Sequence, residues 1–523
     1  MEALTLLLVS FTVSGYSFVL QPSEAVRQMA ELERETPPVV KNEQLKAFSI
    51  FVEEEEETGH YSERKKTEEG PKNPEKMEEK VPAGFDRSEG GYKDRLTPGT
   101  FAKMLEEGKE RDTEKDFDED TREEVEKNEE GEKDVLAPMP FPYFLDTYCP
   151  PECACYGRVV QCSDKGVDKV PYGIPYNARY VLLMNNRIDG IQLDLLNEYA
   201  SMEFLVLSNN RLTDGAIEGA FEGIPALKRL YLDRNRLISV PTDLPVSLEE
   251  LRLDSNQLSV MSEAAWSRCP SLLVLSLSNN SLGNGSDSLP DGALSPLSSL
   301  RTLNLDHNQI AVVPLGLPLS IKELYLKGNL IEQFPGGVFK GISETLVLDL
   351  SRNRLSNKGL LLESLLNVTC LESLNLEGNV LKKVPGHLPH SLKTLNLEGN
   401  LIYSIKKGAL SSLKNLEHLG LARNKIIKVA PGAFNDLPIL HQLDLSYNTL
   451  HQVPRQLPRA LHSVALAHNK IRSVPRDAFC WGDQSLGLSR LVRVRLEHNL
   501  IEMGELDVQA FRCLRGFQVV HFF

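Results

Sequence analysis

Six of the eight cysteines are placed where they could do covalent chemistry. Cys149, Cys153, Cys155 and Cys162 are spaced C-x3-C-x-C-x6-C, and Cys480 and Cys513 lie near the opposite end of the chain. Clustered thiols serve either disulfide pairing or tetrahedral zinc. An apolar run from Leu4 to Val13, followed by small residues at Val13-Ser14-Gly15 and Gly15-Tyr16-Ser17, reads as a secretory signal over residues 1–17, although Glu2 precedes it and no Lys or Arg does. Export favours disulfides, and four clustered cysteines allow three pairings that spacing alone leaves open. Three N-x-S/T sequons, at Asn279, Asn284 and Asn367, are acceptors for N-glycans in an exported chain. Asn284 lies in a polar loop and is the best placed of them; Asn279 adjoins a crowded turn position.

Catalytic chemistry has no comparable signature. His441, His462 and Asp444 recur near one another by repeat position, but no Ser or Cys nucleophile in a recognisable setting accompanies them. No metal-ligand spacing and no cofactor motif is present, so neither a catalytic site, a metal nor a cofactor is expected. The expectation is a binding protein.

The elements that must position these residues come from an eleven-residue phrase, L-x-x-L-x-L-x-x-N-x-L, repeated fourteen times between Ala178 and Ile501. Leu230-Tyr231-Leu232 through Asn235 to Leu237 is a clean copy, as is Leu303-Asn304-Leu305 through Asn308 to Ile310. From Asn186 to Asn499 the asparagines are spaced 24, 25, 21, then 24, 28, 21, then 24, 26, 21, then 24, 24, 21, and finally 30 residues apart. Each 21-residue repeat carries a proline signature, such as Val240-Pro241 to Leu244-Pro245, and longer ones carry an aromatic peg, such as Ala220-Phe221 and Ala433-Phe434. Alternate leucines of a short strand point inward, and the asparagine at the following turn satisfies backbone groups that leave the ladder. The predicted fold is an α/β solenoid: a curved leucine-rich-repeat array with a concave parallel β-sheet, roughly 65 Å across for fourteen strands at about 4.8 Å each. Both ends of such an array need caps, which the two cysteine groups supply. Cys269 and Cys370, about four repeats and hence roughly 20 Å apart, cannot bridge and read as buried free thiols.

Charge divides the chain. Residues 18–148 carry 36 acidic against 20 basic side chains, including the run Glu53 to Glu57, whereas residues 149–523 carry 36 acidic against 38 basic. The acidic stretch lacks the apolar area to offset the entropy of ordering and is expected to be disordered, acting as a cation-binding arm or a solvated spacer. A near-neutral array argues against a nucleic-acid binder. No segment beyond the signal reaches the ~18 apolar residues of a membrane span. The organisation expected is signal 1–17, acidic region 18–148, cysteine-rich cap 149–177, repeats 178–501, and a stapled cap 480–523 overlapping the last repeat.

The cap sequence Cys149-Pro150-Pro151-Glu152-Cys153-Ala154-Cys155, then Arg158-Val159-Val160-Gln161-Cys162-Ser163-Asp164 and Gly166-Val167-Asp168-Lys169-Val170-Pro171, closely resembles that of the small leucine-rich proteoglycans, especially the decorin, biglycan and asporin class. The short-long-long repeat cycle and the late cysteine pair match as well. Fourteen repeats exceed that class and approach podocan and extracellular matrix protein 2; the latter's end is also similar to Leu496-Glu497-His498-Asn499 and Phe511-Arg512-Cys513. The resemblance covers Cys149 to about Phe523. It implies bridges Cys149–Cys155, Cys153–Cys162 and Cys480–Cys513, and a secreted matrix protein that binds fibrillar collagen and, in many members, growth factors. The sole Ser-Gly dipeptide, Ser14-Gly15, lies in the signal segment, so a glycosaminoglycan chain on this protein is not expected.

A partner would meet the outward strand positions. These are rich in Arg229, Tyr231, Asp233, Arg252, Asp254, Arg301, Asn304, Asp306, Lys322, Tyr325 and Lys327. Alternating charges interleaved with tyrosines suit a collagen triple helix, which displays Arg, Lys, Glu and Asp beside proline rings. The alternative is a soluble modulator that sequesters a growth factor or other signalling ligand.

Overall fold

The structure, a computed structural model, describes residues 148–523 except 262, 284, 286–287, 361–363, 366–367, 482–487, 517–518 and 523. The expected signal, acidic region and two of the sequons, Asn284 and Asn367, lie outside the described residues.

Each repeat forms a three-residue strand x-L-x, as in Arg229–Tyr231, Thr302–Asn304 and Thr394–Asn396. Fourteen such strands, from Tyr180–Leu182 to Arg493–Arg495, pair in parallel with the leucine of one opposite the leucine of the next: Leu230 opposite Leu251, Leu303 opposite Leu324, Leu374 opposite Leu395. The sheet extends past the repeats at both ends, to 17 strands. The cap contributes Ala154–Tyr156 and Val159–Gln161, antiparallel to one another, and the second runs parallel to Tyr180–Leu182. Val520–His521 continues the ladder beyond Arg493–Arg495.

A strand this short has too few hydrogen bonds to persist alone. Its stability comes from the leucines stacked behind it: Leu230, Leu232, Leu251 and Leu253 are fully buried, and the same positions recur to Val494 and Leu496. Phe221, Phe339 and Phe434 fill the opposite wall of that core, as their peg positions predict. In the 21-residue repeats the proline signatures place Val240, Leu244, Val453 and Leu457 in the core on extended backbone. The α component of the expected α/β solenoid contracts to short 3-10 turns among the described residues, such as Leu195–Glu198 and Asp214–Ala216. No described helix is long and apolar enough to cross a membrane.

The asparagine column works as a set of three-way clamps. Asn235 Nδ2 donates to the carbonyls of Leu207 in the preceding repeat and Leu232 in its own, while its Oδ1 accepts from the amide of Leu212. Asn308, Asn379 and Asn448 repeat the arrangement. Each carbonyl is shared between the asparagines of two successive repeats, as Leu207 accepts from both Asn210 and Asn235, so the column ties one buried turn to the next.

The ends are closed by sulfur. Cys149–Cys155, Cys153–Cys162 and Cys480–Cys513 are bridged, with Cα separations of 5.9, 4.2 and 5.5 Å. Cys269 is a buried free thiol, and burial pushes its pKa up to about 11. Cys370 is free but exposed, contrary to expectation. It sits in the turn before Leu371, which takes the core position in its place.

Candidate functional site: the outward face of the sheet

Parallel pairing in register turns each strand position into a file of side chains one strand apart. The file at the first position runs Tyr180, Phe204, Arg229, Glu250; at the third it runs Leu182, Val206, Tyr231, Arg252. On the N-terminal repeats these files merge into one network. Tyr180 meets Phe204 edge to face at 6.4 Å, and Phe204 meets Tyr231 edge to face at 4.9 Å. Arg252 places its Cζ 4.5 Å from the Tyr231 ring centroid. Glu250 is the hub. Its Oε1 accepts from Tyr231 Oη at 2.9 Å and Arg252 Nε at 2.8 Å, and its Oε2 lies 3.6 Å from Arg229 Nε. Burial, then the Glu250 charge, raises the Tyr231 phenol well above its ordinary value, so it stays a donor.

A file of carboxylates follows at the fifth position. Asp233 accepts from Ser208 Oγ at 3.0 Å and from the Asp254 amide at 3.1 Å. Asp254 Oδ1 accepts from Ser276 Oγ at 2.7 Å and the Ser278 amide at 2.6 Å. Asp306 accepts from the Lys327 amide at 2.6 Å, and Asn304 Oδ1 accepts from the Asp306 amide at 2.9 Å. Burial, reinforced by Asp254, pushes Asp233 up to about 6. Burial also pushes Asp306 up to about 6, with Asp349 adding to it against the Lys327 amide. Tyr325 Oη donates to Glu323 at 3.2 Å, and Lys322 Nζ lies 3.7 Å from Glu344.

The eleven expected face residues therefore share one sheet, but not one role. Arg229, Tyr231 and Arg252 converge on Glu250, whereas Arg301 and Lys327 form no ion pair among the described residues. Tyr180, Phe204, Glu250 and Glu323 were missed. The signal was available: each holds the same place before or after the central strand residue as a residue that was singled out. His441 and His462 meet edge to face at 4.9 Å, but Asp444 accepts from the Ser446 amide of its own turn and completes no relay. No group of three or more His, Cys, Asp or Glu among the described residues could hold a metal ion. Asn279 is exposed, and its Nδ2 donates to Ser255 Oγ at 3.0 Å.

A solenoid with a sulfur-sealed cap and an outward polar sheet face defines a disulfide-capped leucine-rich-repeat scaffold. Residues 177–237, 246–310, 320–381 and 390–450 match a leucine rich repeat family model, and residues 148–175 match a leucine rich repeat N-terminal domain. Podocan of Mus musculus is 34% identical over 72% of this chain, which spans 61% of that relative's length. Keratocan of Danio rerio is 34% identical over 59% of this chain and 85% of its own. A solved leucine-rich-repeat protein of Leptospira interrogans, 26% identical, superposes with a TM-score of 0.55 over 69% of this chain and 94% of its own. The chain belongs to the small leucine-rich proteoglycan family.

Proposed function

We propose that this protein is a secreted, non-enzymatic matrix component that binds fibrillar collagen, or a matrix protein of similar surface, through the outward sheet face of repeats one to seven. The supporting observation is the network of Tyr180, Phe204, Tyr231, Glu250 and Arg252 on four adjacent strands, Arg229 sharing the strand of Tyr231. Aromatic edges and a fixed guanidinium form a preorganised surface, so a partner orders little on docking. Proline rings would pack on the aromatic file, while Arg301 and Lys327 meet acidic side chains and the Asp306 carboxylate meets basic ones. The arrangement works by multi-point contact on a rigid sheet and calls for no metal or cofactor.

Solid-phase binding to fibrillar collagen tests this directly. Tyr231→Ala combined with Arg301→Glu and Lys327→Glu is expected to weaken binding about tenfold or more. Unchanged collagen affinity in that variant, with capture of a soluble growth factor reduced instead, would transfer the face to the ligand-sequestering role.

A further inference from the structure

The residue before each column asparagine has positive φ, and in repeats eleven to fourteen these residues are Arg423, Tyr447, His468 and His498. They form one continuous stack along the rim of the sheet. Arg423 Cζ lies 5.5 Å from the Tyr447 ring centroid; Tyr447 and His468 stack at 4.2 Å and 11°, and His468 and His498 at 4.2 Å and 18°. Ring faces are used up in the stack, which leaves edges to solvent: Tyr447 is 49% exposed, and Arg423 and His498 are exposed too.

Beside the stack, the residue after each asparagine is fixed by the ladder. The Lys425 amide donates to Ile402, that of Thr449 to Ile426, and that of Lys470 to Leu450. One row further, the Arg472 amide donates to His451. Lys425, Lys428, His451, Lys470 and Arg472 are all exposed, and none enters an ion pair among the described residues. Lys425 and Lys470 stand two strands apart, roughly 10 Å. A chain of net charge −15 thus carries a group of exposed cations that form no ion pair among the described residues.

We propose that this rim binds a sulfated glycosaminoglycan chain. Such a chain is a linear polyanion whose sulfates recur along a stiff sugar backbone, and the rim offers exposed cations on neighbouring rows of successive repeats, beside a continuous ring stack. Arg472 and Arg423 provide forked donors for sulfate oxygens, Lys425 and Lys470 provide point charges, and the imidazole edges add N–H donors. A flexible acidic peptide would lose more conformational freedom on the same surface.

The full chain is applied to immobilised heparin and eluted with salt. The triple variant Lys425→Glu/Lys470→Glu/Arg472→Glu is expected to bind about tenfold or more weakly, with a shallower salt dependence. Arg187→Glu/Arg211→Glu/Arg236→Glu makes the same total charge change directly after the column asparagines of the first three repeats, where Asn185, Asn209 and Arg234 take the places of the stacked rings. It is expected to stay within about twofold of the parent. Equal losses in both would mean that net charge alone governs retention and would overturn the site, as would unchanged binding of the first variant. Lys425→Gln/Lys470→Gln, which adds no negative charge, should give an intermediate loss and guards against misfolding as the cause. Duplex DNA and polyglutamate serve as competitors; if either displaces the protein as well as soluble heparin does at equal charge, the assignment to sulfated glycan fails.

Discussion

The sheet face of repeats one to four and the rim of repeats eleven to fourteen treat charge in opposite ways. On the face, Arg229 and Arg252 converge on the Glu250 carboxylate, whose side chain is only 15% exposed, and Tyr231 donates to the same group. On the rim, Lys425, Lys470 and Arg472 are exposed and unpaired among the described residues. Paired charges at a half-buried hub fix the geometry of a surface. Unpaired cations at full exposure contribute little to stability and are available to a ligand. A count of charged residues on either surface would not have separated these roles; their partners do.

Three measurements would break or sharpen that contrast. The largest effect is expected from Cys480→Ser/Cys513→Ser. The bridge closes the end of the array under the rim, and its loss should cost about 2–4 kcal/mol. Because each repeat leans only on its neighbours, amide exchange should accelerate first in repeats thirteen and fourteen while repeats one to four stay protected. Uniform acceleration along the array would show that the two regions unfold as one unit.

Glu250→Ala should come next, at about 1–3 kcal/mol in denaturant unfolding, because it strips the acceptor from Tyr231 and the counter-charge from Arg252. The rim variant carrying three charge reversals should change stability by no more than about 0.5 kcal/mol. Similar costs for the two would erase the distinction between a structural network and a free surface.

The third measurement is pH. Asp233 and Asp306 have folded-state values near 6 against an ordinary 3.8. Between about pH 4 and 6 the folded chain therefore holds more protons than the unfolded one, and stability falls as pH rises through that window. Both groups should therefore lower stability between pH 4 and pH 7. In Asp233→Asn/Asp306→Asn this slope should flatten. An unaltered slope in thermal unfolding would place the titration elsewhere.

Much of this architecture is written locally. Leu230, Leu232 and Asn235 announce an inward pair and a turn clamp in any one repeat, and fourteen copies in phase leave no other packing solution. The outward face was legible only in part. Tyr231 and Arg252 stand out by residue type, but Glu250 gains its importance from lying opposite Arg229 across the ladder, which becomes visible only when repeats are laid in register. The rim stack was missed for the same reason: Arg423, Tyr447, His468 and His498 are separated by 24, 21 and 30 residues and look unrelated along the chain. Cys370 was misplaced because a cysteine beside a core leucine resembles a core residue until the backbone shows which of the two turns inward.

The amino-acid sequence by itself determined the period, the leucine core, the asparagine column and the cysteines that close both ends, because each depends on residues that recur at fixed intervals and act with identical neighbours. Tertiary structure decided which outward charges neutralise one another, which rings stack and which cations remain unpaired. Those outcomes depend on distances of a few ångströms between side chains twenty to thirty residues apart, set by the register of the sheet rather than by any one repeat.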